Sequence, residues 1–200
     1  GRSTSFTSEA MTLRLNGATS GYTEIDAPAV AGSNTLVLPT GNGSNQQVLA
    51  GNGSGVLSWS NRPILQIVSA TYSTQTSNST TTYADTGLTA TITPSSSSNK
   101  ILVLVNQAGT YKGAANGQNA TNIRLLRGST TITTFAIAQG YTNTSIENYS
   151  GPASSCYLDS PATTSAVTYK TQFSNNVAAS ASYVQVGGAE SSITLLEVAA

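Results

Sequence analysis

The sequence contains no histidine and a single cysteine, Cys156. The first absence excludes imidazole acid–base chemistry and imidazole metal ligation. The second excludes an intrachain disulfide and any thiolate metal cage built by one chain. Charge is scarce as well: 8% of the residues are Asp, Glu, Lys or Arg, where about 25% is usual. The eight basic and eight acidic residues cancel and are scattered singly. No basic patch results, so nucleic acid is not an expected partner. No apolar run approaches the roughly 18–20 residues of a membrane span, so no membrane insertion is expected. The residues Gly-Arg-Ser-Thr-Ser that open the chain lack the apolar core of a signal peptide. The first residue is not Met, which suits a fragment or a processed product. Sparse charge also removes repulsion between copies of the chain.

What fills the gap is Ser, Thr, Gly, Asn and Ala, with apolar residues at 38%. Low hydrophobicity without high charge is not the composition of a disordered chain, and Thr packs well on a pleated surface. The longest aliphatic run is Ile101-Leu102-Val103-Leu104-Val105. It is too short for a buried helix and rich in β-formers, which predicts a central strand buried on both faces. Around it, 64–68, 80–84, 88–92, 155–158 and 167–173 read as strands. Residues 123–127 and 130–138 form a hairpin turning at Gly128-Ser129, and 182–186 pairs with 192–198 across Gly187-Gly188. Nine or ten strands with turns every 8–12 residues predict a β-sandwich of jelly-roll type over 62–200.

The N-terminal part differs. Residues 1–12 form a polar arm or connection. From 13 to 61 the strands are short: 13–15, 22–26, 35–39, and a hairpin of 47–49 with 56–59 across the Gly/Asn cluster 51–55. Such a region is marginal as a monomer. It predicts a stalk in which three identical chains wind around a threefold axis. Leu13, Leu15, Ile25, Leu36, Leu38, Leu49 and Leu57 would face the shared core, with Trp59 as a packing anchor.

Three stretches carry a resemblance. They are Gly21-Tyr-Thr-Glu-Ile-Asp-Ala-Pro-Ala-Val-Ala-Gly-Ser-Asn-Thr-Leu-Val-Leu-Pro39, then Gln47-Val-Leu-Ala-Gly-Asn-Gly-Ser-Gly-Val-Leu-Ser-Trp59, and Leu65-Gln-Ile-Val-Ser-Ala-Thr-Tyr72 with Tyr83-Ala-Asp-Thr-Gly-Leu88 and Ser97-Ser-Asn-Lys-Ile-Leu-Val103. Together they resemble tail-fibre-like virion proteins of marine phages, especially those of cyanobacteria. The resemblance implies a homotrimer, an extended stalk and a β-sandwich knob that contacts a host surface. It also implies attachment to other virion proteins through the N-terminal region. A tail fibre is the favoured location; a capsid head fibre or decoration protein with a purely structural role is the alternative.

Catalytic chemistry is thin, and an enzyme is not expected. Glu24 and Asp26 are the one close carboxylate pair, and at i, i+2 on a strand they would share a face. That spacing would suit a glycosidase, so a polysaccharide-degrading tailspike is the third reading. The bland account is a solvent-facing strand edge. Cys156 lacks a base to activate it, and neither Lys100 nor Lys170 has a marked serine partner. No catalytic residue, metal site or cofactor is assigned. Binding is assigned instead to the two long polar connections. Residues 109–122 offer Tyr111, Lys112, Asn116, Gln118 and Asn119; residues 140–152 offer Tyr141, Asn143, Asn148 and Tyr149. Tyr beside Asn supplies rigid amphipathic area and adaptable hydrogen bonds, suited to a neutral or weakly charged host-surface glycan.

Overall fold

The computed structural model describes residues 13–25, 28, 30, 32–44, 47–113, 118–142, 148–178 and 180–200. The expected arm at 1–12 lies outside them, as do Asp26, Asn116 and Asn143. Among the described residues the fold is all-β, and its one helical element is a 3-10 turn at Val186–Gly188. The chain divides into two compact units, Gly1–Ser60 and Asn61–Ala200.

The first unit holds two separate hairpins. Strand β1 (Leu13–Asn16) pairs antiparallel with β2 (Tyr22–Ile25), and β3 (Gln47–Gly51) with β4 (Leu57–Asn61). The Asn52 side chain organises the second turn by accepting from the backbone N–H groups of Ser54 and Val56. The strand expected at 35–39 reduces to one parallel bridge between Val37 and Val56. Trp59 donates from Nε1 to the Gly41 carbonyl at 2.7 Å. Leu13, Ile25, Leu36 and Leu57 line one open hollow of about 1020 Å³ rather than a core.

The second unit is a sandwich of two antiparallel sheets. Its strands are β5 (Ile64–Tyr72), β6 (Thr76–Asn78), β7 (Ala84–Ile92), β8 (Lys100–Lys112), β9 (Thr121–Arg127), β10 (Thr130–Gln139), β11 (Asn148–Asp159), β12 (Val167–Asn175), β13 (Ser182–Val184) and β14 (Ser191–Val198). One sheet runs β10-β9-β12-β7. The other runs β5-β14-β8-β13-β6, with β11 along the opposite edge of β8. The inward side chains of both sheets make the core: Leu88, Ala90, Ile92, Leu125, Val167 and Tyr169 face Ile101, Val103, Val105, Ile193 and Leu195. A second cluster gathers Ile123, Ala153, Phe173 and Val184.

A buried polar bridge also ties sheet to sheet. The Thr171 hydroxyl donates to Gln107 Oε1 at 2.9 Å and lies 2.6 Å from the Thr86 hydroxyl. Gln107 and Gln185 both donate to the Ser191 hydroxyl. All five residues are fully buried. A polar group taken out of water costs free energy unless it is bonded, so this set aligns the two sheets in one register.

Four expectations change here. The strand expected at 80–84 does not form: bends occupy 80–82, and β7 starts at Ala84. The strand around 101–105 is central but buried on one face only: Ile101, Val103 and Val105 are buried, whereas Leu104 is exposed. It also runs on to Lys112. The pairing of 182–186 with 192–198 does not form. Instead β14 pairs with residues 100–106 of β8 and β13 with residues 111–112, one after the other along the same edge. The 3-10 turn between them sits against Gly109, whose φ is +60°. A Cβ at Gly109 would stand 2.6 Å from the Val186 nitrogen, so glycine is what lets the strand pass under the turn. Finally, 148–152, expected as part of a loop, belongs to strand β11, which extends the expected strand at 155–158 because it finds a full-length partner in β8.

Candidate binding surfaces

Each sheet of the sandwich turns one face to the core and one face outward, and the two outward faces differ. On the four-stranded sheet, β7, β12 and β9 present Asp85, Thr89 and Thr91, then Thr168, Lys170 and Gln172, then Asn122 and Arg124. These side chains bond to one another. Lys170 Nζ donates to Asp85 Oδ2 at 2.9 Å, Gln172 Nε2 to Asp85 Oδ1 at 2.7 Å, and Arg124 Nη2 to Gln172 Oε1 at 2.6 Å. Arg124 also lies 3.9 Å from the centre of the Tyr83 ring. Burial acts to raise the Asp85 pKa, but hydrogen bonds from Lys170 and Gln172 outweigh it and hold the carboxyl below its ordinary value.

The outward face of the six-stranded sheet is built in rows, fixed by strand register. Ile67, Leu196, Leu102 and Leu158 lie in line across β5, β14, β8 and β11. Ser69, Thr194, Leu104 and Cys156 form the next row; Thr71, Ser192, Asn106 and Ser154 the one after. Beyond the first row lie Ile64, Val198 and Lys100. Past the bulge at Gly109, Tyr149, Tyr111 and Tyr183 align across β11, β8 and β13. Their ring centres are 5.0 and 5.8 Å apart with planes tilted at 60° and 56°, which is the edge-to-face range of favourable aromatic pairs.

The residues assigned to host binding are thereby sorted. Tyr111 and Tyr149 meet on this sheet face, Tyr149 being 69% exposed. Lys112 and Asn119 are buried and cannot touch a host from this fold. Lys112 donates to the Thr142 hydroxyl, and Asn119 donates to the carbonyls of Gly113 and Ala181, closing the end of the sandwich. Gln118 and Tyr141 are exposed. They lie on the β8–β9 and β10–β11 connections, which emerge at one end of the sandwich. Asn148 begins β11, and Asn116 and Asn143 lie outside the described residues. Tyr183 joins the cluster unassigned; the alternation Ser182-Tyr183-Val184 placed it outward, but only the β13–β8 register brings it to Tyr111. In the first unit, Leu36, Leu38, Leu49 and Trp59 are exposed and Leu57 half-buried within the single chain.

Four of the described carboxylates, Glu24, Asp85, Asp159 and Glu197, are individually engaged. Glu24 pairs with Arg14, and its expected partner Asp26 is not among the described residues. Arg127 Nη1 donates to both oxygens of Asp159 at 2.9 and 2.8 Å, and the buried Tyr169 hydroxyl donates to the same carboxylate at 2.7 Å. Burial and that Asp159 bond push the Tyr169 hydroxyl far above its ordinary pKa. Glu197 is fully buried and accepts from Gln66, from the Ser95 backbone and hydroxyl, and from Asn99 at 2.6–2.8 Å. Among the described residues, no three of His, Cys, Asp and Glu gather where they could hold a metal ion.

No family model and no curated protein matches the chain. Among solved structures it is similar to the crystal structure of the infectious bursal disease virus VP2 subviral particle, with a TM-score of 0.42 and 13% identity. The match covers 74% of this chain and 36% of that one. A likeness of that size transfers no role.

Proposed function

We propose that this chain is a structural protein of a phage virion, a fibre component that works as a homotrimer and meets the host cell surface with its sandwich unit. One observation carries the reading. Among its described residues the first unit has two hairpins, exposed apolar side chains at Leu13, Leu15, Ile25, Leu36, Leu38 and Leu49, and no buried apolar core. Segments of that kind become stable when several copies share their apolar faces. The stretches resembling tail-fibre-like proteins fall partly in this unit. A tail location is favoured over a capsid one. Host contact is assigned to the sandwich end bearing Gln118 and Tyr141, where rigid sheets hold exposed connections. No enzymatic step is proposed, since Glu24, Asp85, Asp159 and Glu197 are each committed to a partner.

The experiment is to raise antibody to the chain and label intact virions by immuno-electron microscopy. Label on tail appendages is the expected result. Label on capsid vertices would turn the assignment to a head fibre, and unlabelled virions would end the virion reading. Release of shortened glycans from host polysaccharide by the purified chain would instead establish a tailspike.

A further inference from the structure

We infer that the outward face of the six-stranded sheet is a self-association surface, closed in the working protein by the same face of another copy of this chain. The inference deepens the proposed multi-copy assembly and takes the identity of its occupant from that reading. The contrast within one sandwich points to it. In the four-stranded sheet, β7, β12 and β9 cover their outward faces with bonded polar and charged groups, and exposed apolar surface is confined to Ile137 on the edge strand β10, 75% exposed. The six-stranded sheet leaves Ile67 62%, Leu158 50% and Leu104 39% exposed in adjoining rows, and contiguous apolar surface of this kind marks an interaction site.

Four of the polar side chains on this face are paired with one another. The Ser69 and Thr194 hydroxyls lie 3.1 Å apart, and Ser154 donates to Asn106 Oδ1 at 3.2 Å. Covering them therefore strands few unmet hydrogen bonds. Across the rows between Lys100 and Tyr111 the one charged side chain is Lys100, at the margin. Like faces can thus meet without repulsion, and the tyrosine row ends the face with a residue type enriched at interfaces.

The dimensions fit a copy of the same face. The strands β5, β14, β8 and β11 run 9, 8, 13 and 12 residues; at about 4.8 Å spacing and about 3.3 Å rise they give a face of roughly 650 Å². Stable interfaces bury about 600–1,000 Å² on each partner. Three faces about 19 Å wide would also close around a threefold axis, each standing about 5–6 Å from it, which is half the ~10 Å separation of packed sheets.

Cys156 lies beside Leu104 on this face and is exposed in the single chain, so it reports coverage directly. The full chain at micromolar concentration is treated with a thiol reagent while its mass is followed by light scattering. The expected result is an assembled mass and a slowly reacting Cys156. The double variant Ile67→Lys, Leu158→Lys should restore the rate of an open thiol, whether or not the first unit still holds copies together; the control Thr89→Lys, on the other sheet, should leave protection unchanged. A wild-type Cys156 that reacts as an open thiol overturns the inference. So does a folded double variant that still protects it. If the double variant does not fold, wild-type protection and the single variant Leu104→Lys decide the matter. A chain that fails here yet labels virions leaves the virion reading intact, and a protected thiol in a chain absent from virions does the reverse.

Discussion

The two outward faces of the sandwich are made by the same chain, with the same strand alternation and the same supply of Thr and Ser, yet they are finished differently. Strands β7 and β12 set Asp85 against Gln172 and Thr91 against Thr168, and each pair is bonded, with Lys170 reaching Asp85 from the side. Strands β14, β8 and β11 set Leu196 against Leu102 and Leu102 against Leu158. Period-two alternation records which residues point away from the core. It does not record whether what they meet is water, and the difference lies in the chemistry of the outward set.

The contrast can be tested through stability, beginning with the group expected to matter most. Glu197 lies inward on the strand whose outward side chains include Leu196 and Val198. Replacing it by Gln should cost about 1.5–3 kcal/mol at neutral pH, the usual worth of hydrogen bonds to a charged group. Burial alone would raise this carboxyl's pKa, but bonds from Asn99, Gln66 and Ser95 outweigh burial and hold it below the ordinary 4.5. A carboxyl depressed in the folded state stabilises fully above the unfolded value. That contribution should disappear as pH falls from about 4.5 through the lower folded-state value, and the Gln variant should be flatter over the same window. Denaturant melts across that range measure it, and an equally steep acid limb in the variant would remove Glu197 from the account.

On the charged face, Lys170→Ala breaks an exposed pair with Asp85. The expected loss is at most about 0.5–1 kcal/mol, fading at ~1 M salt where screening reaches about 3 Å. A larger, salt-independent loss would mean that this face is not simply solvated. On the apolar face, Ile67→Thr with Leu158→Thr should change the stability of the dilute, separated chain by no more than about 0.5 kcal/mol per site, as for other surface positions. A core-sized loss would show that these side chains are covered within one chain.

Much of the sandwich was legible in sequence because its strands carry their own signal. The alternation from Val167 to Phe173 and from Leu88 to Ile92, and the Gly128-Ser129 turn, each depend on near neighbours. Strand β11 was legible only over 155–158, since Asn148-Tyr149-Ser150-Gly151-Pro152 has turn composition and is held as strand by β8. The misplaced pairing of 182–186 has the same origin. Gly187-Gly188 predicts a reversal, whereas the partner of each flanking segment is chosen by a strand some eighty residues away. The assigned binding residues divided along that line: exposure of Gln118 and Tyr141 follows from polar connections, but burial of Lys112 and Asn119 follows from where β8 ends and how Asn119 bonds back to Gly113.

The position of β14 governs the order in which this protein can come into being. It lies between β5 and β8, hydrogen-bonded to both, and is the last described strand to be synthesised. While the ribosome is still making it, β5 has no place in the six-stranded sheet, and Leu88, Ile101 and Val103 wait without Ile193 and Leu195 against them. Pairing between strands so distant in sequence is slow, and unpaired edges invite misassembly in the interval. Emergence of β14, rather than of the first strands, therefore sets when the sandwich can close. A chain interrupted before Ser191 would carry every core residue but Ile193 and Leu195 and still leave β5 without a place in the sheet.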